Sequence, residues 1–137
     1  MESAYVIPMA TLMVRVVLGI LFFAQGYDKI FKIGINGVVD AASTVDMHRI
    51  LGKGLLKASV LLSSWVELLA GALLIAGFQK DVALIALSAD MIVAGIIFTL
   101  IKPMWDMQFY FPRLAMLVFM AIIPPGWDIW CIDWMMR

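Results

Sequence analysis

The chain has 137 residues, 64% of them hydrophobic and 15% charged, and its ten basic residues balance ten acidic ones. Average soluble domains run at roughly 45–50% apolar and about 25% charged, and a chain this short has too little interior to hide the excess. A mean hydropathy of +1.01 therefore points to a single membrane domain over residues 1–137, and the cancelled charge removes any general electrostatic hold on nucleic acid.

The first apolar run predicts a helix over about residues 9–31, with Pro8 in the tolerated first-turn position. The N-terminus, MESAYVIPMA, lacks the basic start of a secretory signal, so this helix is expected to be retained. After it comes the longest polar connection, residues 32–54. Its glycines, Ser43 and Thr44 are turn and cap material, and VDMHRIL reads as a short interfacial helix.

A second span is expected over 55–78, ending at Gly77-Phe78-Gln79-Lys80, and a third over 81–101. The turn between them is so short that the two should be antiparallel neighbours. Lys102-Pro103 breaks the third, and a fourth span follows over about 104–123, stopped by Pro124-Pro125-Gly126. The fold class is thus all-α: a polytopic bundle of four transmembrane helices with an interfacial C-terminal segment, 126–137.

That segment carries Trp127, Trp130 and Trp134 at the i, i+3, i+7 spacing of one helical face. Tryptophan favours the headgroup layer, which makes these residues, with Trp105, the expected interfacial anchors. Trp105, Phe109, Tyr110 and Phe111 read first as an aromatic belt, although aromatics beside Arg113 would also flank a flat quinone ring. Lys29, Lys32, Arg49, Lys53, Lys57 and Lys102 fall after helices one and three, against only Lys80 and Arg137 on the other side. The positive-inside bias puts the two lysine-rich connections in the cytoplasm and both termini outside.

Within these apolar spans stands a set of polar residues: Arg15, Gln25 and Lys29 in helix one, Glu67 in helix two, Asp90 in helix three and Arg113 in helix four. A central charge costs about 2.5 to 3.5 kcal/mol on insertion scales, so such residues face the bundle interior and pair. Depth along each helix favours Arg15–Asp90 and Arg113–Glu67. The stripe Arg15, Gly19, Phe22, Gly26, Lys29 and the stripe Ser59, Ser63, Glu67, Gly71 put small residues beside charge, with Gly19, Gly26, Ser63 and Gly71 as the close-packing positions. The cluster reads either as glue fixing helix register or as a proton or ligand site.

Other chemistry is thin. Cys131 is the only cysteine, which excludes an intrachain disulfide and a CxxC dithiol, and no base can be assigned to it. His48 is the only histidine and has no second ligand beside it, so no metal site is expected. No phosphate loop or catalytic-triad motif is present.

RVVLGILFFAQGYDKIFKIG resembles the first-helix signature of the DoxX family: arginine, Gly19, an aromatic, Gly26, then lysine before another aromatic. SWVELLAGALLIAGF is similar to that family's second helix, and GWDIWCIDW to a diverged form of its terminal small-residue–x–Asp pattern. The resemblance implies a four-helix inner-membrane protein in which Arg15, Gly19, Gly26, Lys29, Glu67 and Gly71 are shared positions. It implies no intrinsic cofactor, with a quinone as the candidate ligand, since relatives include a subunit of thiosulfate:quinone oxidoreductase, subunits tied to thiol and sulfur redox systems, and assembly factors. Two functions follow as expectations: a small subunit of a membrane redox system, or a non-catalytic scaffold or assembly subunit. Either expects the lipid bilayer and further membrane subunits, or copies of itself, as partners.

Overall fold

The computed structural model describes residues 3–42, 52–101 and 107–137. Helix α1 runs Ser3–Tyr27 and continues as a π-helical turn, Asp28–Lys32. It is followed by α2 (Ile35–Ala42), α3 (Lys53–Ala76), α4 (Lys80–Ile101), α5 (Met107–Ile122), a 3₁₀ turn at Pro125–Trp127, and the short α6 (Ile132–Met135). Among the described residues there is no strand.

Local sequence explains the boundaries. Because α1 begins at Ser3, Pro8 lies inside it rather than at its first turn, a correction to the sequence reading. The π turn is closed by the Ile33 N–H donating to the Asp28 carbonyl at 2.8 Å, and Gly34 then takes φ +77° to turn the chain into α2. At the end of α3, Gly77 sits in the left-handed region, where it lets the Gly77 and Phe78 N–H groups return to the carbonyls of Leu74 and Leu73. This paired closure satisfies two orphan carbonyls and needs a residue free of Cβ strain.

Four long helices close around one core. Leu18 and Phe22 of α1 meet Ala70 and Leu74 of α3, Leu87 and Met91 of α4, and Leu117 and Met120 of α5. The neighbours run α1–α3–α4–α5 and back to α1. A smaller apolar contact seats Val39 of α2 on Leu56 of α3.

The outside is as oily as the inside. Leu62, Ile85, Ile92 and Ile122 are all at least three-fifths exposed, a distribution that suits lipid and not water. Ala4–Lys32 and Lys53–Ala76 are each long and apolar enough to cross a membrane, and Tyr110–Ile122 is a shorter apolar helix.

α1 and α3 pack antiparallel with their backbones nearly touching. A Cβ placed on Gly71 would stand 2.5 Å from the Phe23 nitrogen, and one on Gly26 would stand 2.5 Å from the Leu68 nitrogen. A Cβ on Gly19 would meet the Gly71 carbonyl oxygen at 2.9 Å. The three glycines expected as packing positions therefore form this seam. The serine that shares it is Ser64, fully buried, whereas Ser63 is turned partly away. One residue is about 100° of helix, enough to move a side chain from the seam to a neighbouring face.

The C-terminal segment also departs from the sequence reading. It is a 3₁₀ turn and a separate short helix, so Trp127, Trp130 and Trp134 do not line one continuous helical face. Each remains about two-fifths exposed, while Asp128 and Cys131 between them are buried. Trp105, His48, Lys102, Pro103 and VDMHRIL lie outside the described residues.

Candidate functional site

The buried charges form two centres at different depths of the bundle. At the first, Arg15 is 1% exposed and fully engaged. Its Nε donates to Asp128 Oδ1 at 3.3 Å, Nη1 to the Leu74 and Ile75 carbonyls at 2.7 and 3.1 Å, and Nη2 to the Trp130 carbonyl at 2.8 Å. Lys80 Nζ takes the other Asp128 oxygen at 3.2 Å. Asp133 accepts from the Gln79 and Lys80 N–H groups at 2.8 and 2.9 Å, and so caps the start of α4. The Asp133 N–H in turn donates to the Gly77 carbonyl at 3.0 Å. The returning tail is thus a latch over the α3–α4 turn.

The partner expected for Arg15 was Asp90; the structure gives it Asp128. The reason is the tail. Read as an interfacial segment, it offered no carboxylate to the interior, and only its return over the bundle brings Asp128 to an arginine 113 positions earlier. Cys131, buried with its Sγ donating to the Asp128 carbonyl at 3.0 Å, belongs to the same latch.

At the second centre Glu67, 4% exposed, is held by Lys29 and not by Arg113. Lys29 Nζ donates to Glu67 Oε1 at 2.9 Å and Oε2 at 2.8 Å. Arg113 instead donates through Nη1 to Gln25 Oε1. The seam explains the exchange: Gly26 lies against Ser64 and Leu68, and Lys29, one turn further on in the π-helical continuation of α1, arrives over Glu67. The π turn that begins at Asp28 is where Lys29 leaves regular α-geometry, a feature frequent at functional positions.

Asp90 is the exception in this otherwise paired set. Ser63 and Lys29 are near it, yet its Oδ2 is buried with no hydrogen-bond donor. Buried acceptors are ordinarily satisfied, and an exception marks a site worth chemical explanation.

Asp90 also lines a cavity of about 620 Å³ bounded by α1, α2, α3 and α4. Its polar wall is Gln25, Lys29, Ser59, Ser63 and Asp90; its apolar wall includes Val60, Val66, Ala86 and Ala94. Leu62 and Val93, both exposed on the outer surface, also line it. A second cavity of about 520 Å³ abuts it through Gln25, Lys29, Val38 and Ala41, and reaches Arg113. Together the two form an amphipathic space lined by both polar and apolar side chains.

Among the described residues no group of His, Cys, Asp and Glu is arranged to hold a metal ion. The residues that sequence reasoning missed are Asp128, Lys80, Asp133 and Ser64. Only Asp128 had a signal, as the aspartate of the terminal small-residue–x–Asp pattern.

The sequence model of the DoxX family matches residues 10–100, from early in α1 almost to the end of α4. Arg15, Gln25, Lys29, Glu67 and Asp90 fall inside that stretch, and Arg113 and the latch aspartates beyond it. No curated protein and no solved structure matches the chain.

Proposed function

The chain belongs to the DoxX family of membrane proteins, and from that premise we propose that it is a four-span inner-membrane subunit whose cavity seats a quinone for a membrane redox partner. The observation that carries this reading is the cavity itself. Its volume of about 620 Å³ falls within the range of small-molecule sites, which are mostly apolar with a few fixed polar groups. A quinone ring is flat and apolar, with carbonyl acceptors at its poles. Lys29 uses two N–H bonds on Glu67, and an ammonium has a third to offer a carbonyl. The isoprenoid tail leaves past Leu62 and Val93 into lipid.

The protein's part is binding and orientation. The lone cysteine is already buried in the latch, so electrons pass to and from a partner subunit. That same cysteine favours the second reading, a scaffold or assembly subunit that binds no carrier.

The test is purification in nanodiscs with native lipid, extraction, and quantitation of quinone per protein by mass spectrometry. Stoichiometric quinone that is lost in Ala94→Phe, which fills the cavity, supports the reading if helicity is unchanged. Protein free of quinone yet bound to other membrane subunits would replace it with the scaffold.

A further inference from the structure

Two features of the second centre bear on which form of the carrier is bound. Asp90 lines the cavity, and its Oδ2 is a buried acceptor without a donor. In its ionised form the Asp90 carboxylate accepts hydrogen bonds and donates none.

A quinone has no donor to give it. A quinol has two hydroxyls, each able to donate to Asp90 while accepting from Lys29. We infer that Asp90 is the hydroxyl acceptor of this cavity, so that the site binds the reduced, quinol form of a membrane carrier in preference to the oxidised form. This rests on the quinone-seating reading above and adds the residue that decides redox-state specificity.

Sites built around a hydrogen bond to a substrate hydroxyl discriminate strongly against analogues that lack it, because the buried polar group is then left unpaired. The expected preference for quinol is at least about tenfold. Every tenfold of preference for the reduced form raises the two-electron midpoint potential of the bound carrier by about 30 mV.

The experiment is anaerobic equilibrium binding of a decyl-quinol and the matching decyl-quinone to protein in quinone-depleted nanodiscs. Wild type is compared with Asp90→Asn and Asp90→Leu, and a redox titration of the bound carrier accompanies it. Wild type binds quinol at least about tenfold tighter, and the bound midpoint rises accordingly. Asp90→Asn, whose amide also donates, loses the preference while still binding quinone, which shows that the cavity is intact. Asp90→Leu loses quinol affinity more than quinone affinity. Equal affinities in wild type, or a preference that survives Asp90→Asn, overturn the role of Asp90 and leave the quinone-seating reading standing. Tighter binding of quinone overturns it by showing that Asp90 acts as a donor. If neither form binds wild type, both readings fall.

Discussion

Gly71→Ala should destabilise the bundle, although the same change in an open helix position stabilises it. The added Cβ would lie 2.5 Å from the Phe23 nitrogen, 2.8 Å from the Gly19 oxygen and 2.9 Å from the Phe23 Cα. All three are backbone atoms and none can rotate away. Ordinary contact begins near 3.4 Å, so α1 and α3 must separate by about 0.9 Å at this level. A gap of 0.5–1 Å forfeits a quarter to a half of each contact's attraction, and overpacking of this kind typically costs about 1–3 kcal/mol. Gly→Ala in a helix returns at most about 1 kcal/mol of backbone propensity. The net expectation is a loss of about 1–2 kcal/mol. Gly54→Ala is the control, because nothing lies within 4 Å of its Cβ position; it should be neutral or mildly stabilising. The assay is reversible unfolding in mixed detergent micelles, followed by helical circular dichroism. Equal shifts for the two variants would refute the reasoning, since the seam would then carry no steric constraint.

The Lys29–Glu67 pair should show a coupling of about 0.6–1.7 kcal/mol in a double-mutant cycle with Lys29→Met and Glu67→Leu, the range measured for polar contacts between membrane helices. Arg113→Gln combined with Glu67→Gln should be additive to within about 0.5 kcal/mol, and strong coupling there would revive the pairing that the structure replaces. Asp128→Ala should release the latch while the four long helices stay folded. Maleimide labelling of buried Cys131 reports it, with a rate increase of at least about tenfold corresponding to about 1.4 kcal/mol of lost docking; an unchanged rate would mean that Asp133 holds the tail alone. For topology, a membrane-impermeant thiol reagent applied from outside should modify Tyr5→Cys and miss Ala41→Cys, both in a Cys131→Ala background, and the reverse pattern would invert the orientation.

Much of this architecture is written in local sequence. Apolar runs of helical length mark the long helices, because a bilayer leaves the backbone no other way to satisfy its hydrogen bonds. The three- and four-residue spacing of Arg15, Gly19, Phe22, Gly26 and Lys29 marks the inward face of α1, because residues three and four apart share a helical face. Gly77 announces the end of α3. Glu67 and Asp90 are conspicuous as candidates because a charge in an apolar run has to be accounted for.

Pairing is another matter, because it depends on where helices cross and not on what each contains. The glycine seam sets the approach of α1 to α3, and with the π turn at Asp28 it delivers Lys29 to Glu67. Arg113 is left to Gln25. Ser63 and Ser64 are equally small and polar in sequence, and only the rotation of α3 puts one on the cavity and the other in the seam. The same holds for Arg15, whose carboxylate comes from a tail that looks interfacial until it folds back. Composition and period thus determine which solvent, which helices and which faces this chain uses. The partners of its buried charges, and the buried acceptor left without a donor at Asp90 among the described residues, come only from the tertiary structure, because a hydrogen bond is settled within ångströms by elements far apart in the chain.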